Sequence, residues 1–268
     1  MPILSVENLS KSFGGLAAVS HVNMTLESQE LVGLIGPNGA GKTTIFNLLT
    51  GVYTPTSGTI TFAPNGEVYE IQGMRPHQIA NLGIARTFQN IRLFKDMTVI
   101  DNVLISMHSQ LSSSIASSLF RTSKFYNSER EMRKEALEYL SIFNLDKKPK
   151  VLAKNLPYGE QRHLEIVRAL ASKPSLILLD EPAAGMNQSE TSHLSATIRR
   201  LKNEFGLTIL LIEHDMSLVM ELCERIYVLD YGMLISQGLP NEIKTDKRVI
   251  EAYLGEDAAR DIETGGES

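Results

Sequence analysis

Gly36-Pro37-Asn38-Gly39-Ala40-Gly41-Lys42-Thr43 stands between an apolar run, Leu31-Val32-Gly33-Leu34-Ile35, and a helix-like run, Thr43-Thr44-Ile45-Phe46-Asn47-Leu48-Leu49, that closes at Gly51. The first run predicts a buried strand and the second a helix. Glycines at this spacing let several backbone N–H groups converge on one anion, and the positive end of the following helix dipole adds attraction at the same point. Lys42 supplies a point charge there, and the Thr43 hydroxyl is placed to ligate a magnesium ion shared with the β and γ phosphates of a nucleotide. Strand, loop and helix in this order are the context that a phosphate-binding loop requires. Residues Gly36 through Thr44 are therefore the candidate nucleotide-binding set.

A chain of 268 residues with 43% hydrophobic content can bury a full core. No window approaches the ~18 apolar residues of a membrane span, and Met1-Pro2-Ile3-Leu4-Ser5 lacks the charged and apolar segments of a secretory leader. A soluble, unsecreted protein is expected, with membrane contact only through a protein partner. The single cysteine, Cys223, excludes an internal disulfide and a cysteine-rich metal site, and its helical setting predicts a buried, inert thiol. A net charge of −5 gives no general attraction for nucleic acid, and no nucleic-acid partner is expected.

Outward from the loop, Leu4 and Val6 alternate in a first strand that ends at Phe13-Gly14-Gly15, and a second short strand runs through Val22, Met24 and Leu26. Thr59–Phe62 and Val68–Ile71 flank Pro64-Asn65-Gly66 as a hairpin that extends the same antiparallel sheet. From Ile91 to Leu156 the pattern turns helical: Thr98 and Asp101 read as a capping box, and Ala136, Leu140 and Phe143 share one face. The serine-rich segment 108–128 reads as a surface loop or as a short partner-contacting helix. Beyond Leu156 come a helix, the strand Ser175–Leu179, a helix carrying Leu194, Ile198 and Leu201, the strand Leu207–Ile212, and a closing hairpin around Asp230-Tyr231-Gly232-Met233. Alternating strand and helix predicts a mostly parallel sheet covered on both faces, an α/β fold. The acidic, glycine-containing tail 255–268 reads as disordered.

Asp180-Glu181-Pro182 ends the apolar strand, so two carboxylates sit at its carboxyl end, where open α/β sheets bind ligands. Asp180 is placed to hold magnesium through water, and Glu181 to orient or deprotonate the water that attacks the γ phosphate. Without the phosphate loop, the same pair would read as a cap for the next helix.

With these residues in place, nearly the whole chain resembles the ATP-binding subunits of ABC transporters. Thr87-Phe88-Gln89 matches the family's glutamine loop, Leu156-Pro157-Tyr158-Gly159-Glu160-Gln161-Arg162 its signature segment, and His214 in Ile212-Glu213-His214-Asp215 its switch histidine. The resemblance implies a P-loop NTPase core at 1–90 and 157–254 with an antiparallel β subdomain, and an inserted helical subdomain at 91–156, together one ABC ATPase domain over 1–254. It implies ATP and magnesium as ligands. Lys42, Gln89, Glu181 and His214 serve catalysis, Thr43, Gln89 and Asp180 the metal, and Phe13 stacks on adenine. Two such subunits face head to tail, so that Leu156 to Gln161 of one meet the ATP of the other; the free N-terminus of the helix opened by Gly159 suits that contact.

Two stretches depart from the family pattern. Pro157 and Tyr158 replace the usual Ser-Gly, removing a hydroxyl but keeping the Gly159 amide, and Asn187 replaces an aspartate while still able to cap the next helix. Within the superfamily the chain is most similar to the ATP-binding subunits of branched-chain amino acid importers, through Arg86–Phe94, Leu156–Arg162, Glu181–Asn187, Glu213–Met216 and Ala252-Tyr253-Leu254-Gly255. That implies two membrane-spanning permease subunits, an extracytoplasmic substrate-binding protein and a place on the cytoplasmic face of the membrane. Cargo remains open among branched-chain and other amino acids, amides, urea, or lipid and polysaccharide export. The pair could be two copies or two similar chains, and a non-transport ABC ATPase is the further alternative.

Overall fold

The computed structural model describes residues 1–108 and 123–254, so the readings of the tail and of most of the serine-rich segment lie outside the described residues. In chain order, β1 (Leu4–Phe13), β2 (Leu16–Leu26) and β3 (Leu31–Ile35) lead into α1 (Lys42–Leu49). Then follow β4 (Ser57–Phe62), β5 (Tyr69–Glu70), α2 (Pro76–Leu82) and β6 (Ile84–Arg86). The helical stretch holds α3 (Val99–His108), α4 (Ser123–Ser141) and α5 (Tyr158–Leu170). The remainder is β7 (Leu176–Asp180), α6 (Gln188–Phe205), β8 (Thr208–Ile212), α7 (Met216–Leu222), β9 (Arg225–Asp230), β10 (Met233–Gly238), α8 (Pro240–Thr245) and α9 (Lys247–Leu254).

Every residue of β3, β7 and β8 is buried, as both faces of a parallel sheet must be covered. These strands form a sheet in the order β10-β9-β3-β8-β7-β6, parallel except for β10. Alternation along the strands divides the interior. Val32, Leu34, Leu176, Leu178, Leu210 and Ile212 pack toward α1 and the antiparallel strands, whereas Leu31, Ile35, Ile177, Leu179, Ile209 and Leu211 pack toward α5, α6 and α7. Gly33 lets α7 approach closely, since a Cβ there would stand 3.0 Å from Cys223 Sγ. Cys223 is buried as expected, and burial pushes its thiol pKa up.

The second sheet is antiparallel, in the order β2-β1-β4-β5. The predicted hairpin is β4–β5, but β2 is 11 residues long rather than short, because Leu16 to Val19 continue the pairing with β1. A half-buried network joins the sheets: Arg225 donates to Glu30 Oε1 (2.8 Å), to Thr25 O (2.7 Å) and to the Tyr227 hydroxyl (2.8 Å), which itself donates to Thr25 O (3.0 Å).

In the helical stretch Ala136, Leu140 and Phe143 are buried in one cluster with Val99 and Val103. The Thr98 cap forms in altered shape. Thr98 Oγ1 accepts from the Asp101 amide (3.2 Å), but the Asp101 carboxylate takes the Thr98 hydroxyl (2.5 Å), not the backbone amide that a reciprocal box would satisfy. The signature helix also begins earlier than expected. Its first turn closes from Gln161 N to Pro157 O (3.0 Å), which makes Pro157 the N-cap and puts Tyr158 and Gly159 inside the helix.

Asn187 caps α6 with a complete box, its Oδ1 accepting from Glu190 N (3.0 Å) while the Glu190 carboxylate accepts from Asn187 N (2.9 Å). Asn187→Ala should therefore lower the unfolding free energy by about 1 kcal/mol, whereas Asn187→Asp, an equally good cap, should leave it within about 0.3 kcal/mol. Urea midpoints of the three proteins without nucleotide check this.

Candidate active site

The loop after β3 passes under two other backbones, and glycine is what lets it through. Gly36 has φ +151° and Gly41 φ +106°; a Cβ at Gly36 would collide with the Leu229 carbonyl oxygen, and one at Gly41 would stand 2.6 Å from Ala18 O. Gly39, by contrast, has φ +83° and open space where its Cβ would be, on the side an anion would occupy. No side chain caps the N-terminus of α1, so its first amides are left for a ligand. Lys42 is buried and folds back over the loop, donating to Gly36 O (2.6 Å) and Pro37 O (2.9 Å). Burial lowers its pKa, against the opposing fields of Glu181 and Asp180. Thr43 is exposed beside it and Thr44 half-buried. A cavity of about 590 Å³ flanks the loop, lined by Pro37, Asn38, Ala40, Tyr231, Arg248 and Glu251.

Four parallel strands deliver the other polar groups to this same rim. Asp180 ends β7 and is 2% exposed. Arg86, the last residue of β6, donates to Asp180 Oδ2 (2.7 Å) and also to Asn47 Oδ1 on α1 (2.7 Å), and its guanidinium lies 5.4 Å from the Phe46 ring and 5.0 Å from the Phe88 ring.

Glu181 follows with φ +48°, a left-handed conformation that a non-glycine residue adopts at a cost. It is pinned by its amide, which donates to Ile212 O at the end of β8 (2.9 Å). Both carboxylate oxygens are engaged: Oε1 lies 2.6 Å from His214 Nε2, and Oε2 accepts from Gln89 Nε2 (2.9 Å). The glutamine loop and the switch histidine, 125 positions apart as 214 − 89 in the numbering, thus meet on one carboxylate.

Glu213 is buried at 4% exposure and ties the neighbouring loops, accepting from Ala183 N (2.8 Å) and His214 N (3.1 Å). Burial raises its pKa, with the two amides pulling the other way. Asp215 caps α7, accepting from Ser217 N (2.9 Å) and Leu218 N (3.2 Å), so the residues on both sides of His214 are fixed.

Phe13 stands at the end of β1 with 43% of its surface exposed. The Tyr53 ring meets it edge-on at 5.1 Å, and Lys11 Nζ sits 5.0 Å from its centroid. The exposed part of the ring is available to a flat apolar ligand.

The signature residues stay apart from this constellation. Leu156 is buried, Pro157 and Tyr158 are exposed, and Gly159 to Gln161 are half-buried. Tyr158 lies against Gly185, where a Cβ would be 3.3 Å from its ring; Glu160 pairs with Lys148 (2.7 Å), and Gln161 Nε2 donates to Leu156 O (2.8 Å). None of these bonds reaches the phosphate loop. No side chain caps α5, so the amides at its start face outward unpaired with a cap.

Sequence reasoning gave no role to Arg86, Glu213, Arg162 or Glu165. Arg86 carried one usable signal, a lone cation closing the otherwise apolar run Ile84-Ala85, although its partners lie 39 and 94 residues away. Arg162 and Glu165 are 0% and 1% exposed and form an ion pair of 3.0 Å; at i and i+3 on one helix they look like any surface pair until the helix is packed.

Among the described residues no cluster of three or more His, Cys, Asp or Glu could cage a metal. The oxygen donors that do occur, the Thr43 hydroxyl and the Asp180 carboxylate, suit magnesium, which keeps several waters and takes one or two carboxylates together with phosphate oxygens.

Comparison with known proteins agrees with this geometry. The family described as ABC transporter matches residues 19–184, and that described as branched-chain amino acid ATP-binding cassette transporter matches 233–259. The high-affinity branched-chain amino acid transport ATP-binding protein BraF of Pseudomonas aeruginosa is 48% identical over 95% of this chain and 98% of its own length. The lipopolysaccharide export system ATP-binding protein LptB of Haemophilus influenzae is 36% identical over 96% and 98%. Among solved structures, the ADP conformation of an ATP-binding cassette of an ABC transporter superposes with a TM-score of 0.81 at 32% identity, over 96% of this chain and all of the other. The chain belongs to the ATP-binding subunits of ABC transporters and is an ABC-type ATPase.

Proposed function

We propose that this chain is the motor of an importer of branched-chain amino acids, working as a pair of ATP-binding subunits on the cytoplasmic face of two membrane-spanning permeases. The convergence of His214 and Gln89 on the Glu181 carboxylate, one residue from Asp180 and beside the phosphate loop, is the observation that carries the catalytic part. The cargo rests on the 48% identity to BraF, against 36% to the export protein LptB, and on the branched-chain match at 233–259. An extracytoplasmic substrate-binding protein belongs to this reading.

In it, the amides of Gly39 to Thr44 bind the phosphates and Lys42 exchanges its two loop carbonyls for phosphate oxygens. Thr43, the Asp180 carboxylate and the Gln89 amide oxygen would hold magnesium, whose charge would offset that developing on the transferred phosphoryl group. Arg86 fixes the direction of the Asp180 carboxylate. Glu181 accepts the proton of the attacking water; to do so it must give up one of its two present partners, so Gln89 and His214 decide when the base is free. Phe13 stacks on adenine through the exposed part of its ring.

The signature segment, Leu156 to Gln161, serves the nucleotide of the second subunit: the uncapped start of α5 presents amide donors on an exposed surface, where a γ phosphate is the fitting acceptor. Residues 91–156 form a helical subdomain inserted into the core of 1–90 and 157–254. A groove of about 260 Å³ on the core, lined among others by Val52, Ile79, Ala85, Phe88 and Ala169 and touched by Ser106 of the helical subdomain, is the place for a short permease helix. No helix among the described residues is long and apolar enough to cross a membrane, consistent with attachment through permeases.

Glu181→Gln should bind ATP within about threefold of the parent while turnover falls by about 10²–10⁴; parental steady-state hydrolysis would remove the role given to Glu181. His214→Ala in the assembled complex should lose about 10²-fold or more in kcat, because the base then loses the imidazole that holds Oε1 and keeps only the Gln89 amide on Oε2. The cargo is tested by uptake of labelled leucine, isoleucine and valine in cells whose only copy carries Lys42→Ala, with other carriers for these amino acids deleted. Loss of all three supports the proposal. Uptake of all three at the normal rate overturns the cargo and turns the search to other amino acids, amides or export.

A further inference from the structure

We infer that the buried Arg162–Glu165 pair is a positioning link that carries motion of the signature segment to the Gln89–Glu181 contact of the same chain. The inference rests on the two-subunit reading above. It would couple the two ATP sites: α5 meets the partner's nucleotide at its first turn, and one turn later it grips the loop that contacts this chain's own base.

The grip is made to backbone. Arg162 Nη1 donates to Phe88 O and to Glu165 Oε2 (3.0 Å), and Nη2 donates to Gln89 O (2.8 Å). Glu165 Oε1 accepts from Arg92 N (3.1 Å) and, more loosely, from Phe88 N (3.4 Å). Four backbone groups between Phe88 and Arg92 are therefore held by this pair, and Arg168 of the same helix donates to a fifth, Arg92 O. The sheet releases the chain just before them, its last bonds being Thr87 N to Leu178 O (2.9 Å) and Asp180 N to Thr87 Oγ1 (3.2 Å).

Gln89 and Glu181 consequently belong to different supports. Gln89 rides on α5 through Arg162, whereas Glu181 is pinned to β8 through its amide and Ile212 O. A shift of α5 against the sheet must lengthen, shorten or redirect the 2.9 Å bond between them. A rigid helix transmits such a shift from Gly159 to Arg162 undiminished, since the two are about 4.5 Å apart along one axis.

Stability does not account for the pair. Replacing a buried ion pair with apolar side chains of similar volume is often neutral or stabilising, and α5 is already anchored by Leu164, Ile166, Val167 and Leu170, all buried. Arg162 Nε has no partner at all, a cost that an apolar residue would avoid.

The test compares the full chain carrying Glu181→Gln with the same chain also carrying Arg162→Met and Glu165→Met. Pairing on addition of ATP and magnesium is read by light scattering, and amide deuterium exchange is read over residues 88–94. The parent is expected to pair and to slow exchange over 88–94 by about tenfold on pairing. The Met variant is expected to pair with ATP dependence within about threefold, yet to show less than about twofold slowing there. In the Glu181 background, the Met pair should lower saturating ATPase by about tenfold at unchanged KM. If the Met pair does not fold, Arg162→Lys replaces it: the charge remains, but one ammonium cannot span both carbonyls, and the same loss of slowing is expected. Parental slowing over 88–94 in the folded variant, or parental ATPase, would overturn the link and leave Arg162 a packing residue. A parent that does not pair on ATP would instead overturn the two-subunit reading, and the link with it.

Discussion

Every residue of β3, β7 and β8 is buried, and a charge left unpaired in such a place costs more than a domain's whole net stability can absorb. Polar chemistry is thereby driven to the strand ends. Four neighbouring parallel strands, β6, β7, β8 and β3, carry Gln89, Asp180, Glu181, His214 and Lys42 to one rim, at their carboxyl ends or in the segments that follow them. Thr43, Gln89 and His214 are exposed there, but part of the rim is dry. Asp180 and Glu213 are 2% and 4% exposed, so each must be partnered: Asp180 by the Arg86 guanidinium, Glu213 by the amides of Ala183 and His214. These partners do more than satisfy charge. Arg86 joins β6, β7 and α1 through Asp180 and Asn47, so the phosphate-loop helix and the metal-side carboxylate share a single rigid reference.

What could be read from the chain in one dimension was what physics repeats along it. The runs Leu31–Ile35, Leu176–Leu179 and Ile209–Ile212 are apolar throughout because both faces are covered, and that pattern needs no knowledge of neighbours. The glycine spacing at 36, 39 and 41 is likewise legible locally, since all three stand at positive φ, whereas the close approach of Leu229 O and Ala18 O to Gly36 and Gly41 appears only in the fold. The length of β2 and the start of α5 were misjudged at ends, where pairing with β1 and the Pro157 carbonyl decide and composition says little. Arg86, Glu213 and Arg162 were out of reach for a different reason. Their meaning lies in partners across the fold, such as the 74 residues between Arg162 and Phe88, and a charged side chain alone does not announce whether it will meet water or a carbonyl.

Glu181 holds the tension in this arrangement. Its backbone sits at φ +48°, a conformation worth of order 1–3 kcal/mol of strain when nothing imposes it, and here the Ile212 carbonyl and the bend into Pro182 impose it. The strain is useful only if it aims the carboxylate at a point that the relaxed strand would miss, and both of its oxygens are indeed aimed at residues from other loops, His214 and Gln89. In the proposed role of Glu181 as base, a carboxylate held so tightly is poorly placed to take a proton, and the restraint would consist of two hydrogen bonds, each owned by a loop that answers to a different support: Gln89 to α5, His214 to the end of β8.

On the proposed two-subunit reading, that division makes one chain half of a working site. The loop of Gly36 to Thr44 would supply donors for phosphates from one side only, while the start of α5, which no side chain caps, would offer its donors to the nucleotide of the other subunit. Two copies, or two similar chains, set head to tail satisfy both deficits at once, because a γ phosphate bound in one loop is the acceptor that the other chain's α5 lacks. The ligand then bridges subunits only while its γ phosphate is attached, so the free energy of closing depends on the state of the nucleotide, which is the condition for a hydrolysis cycle to do mechanical work on a permease.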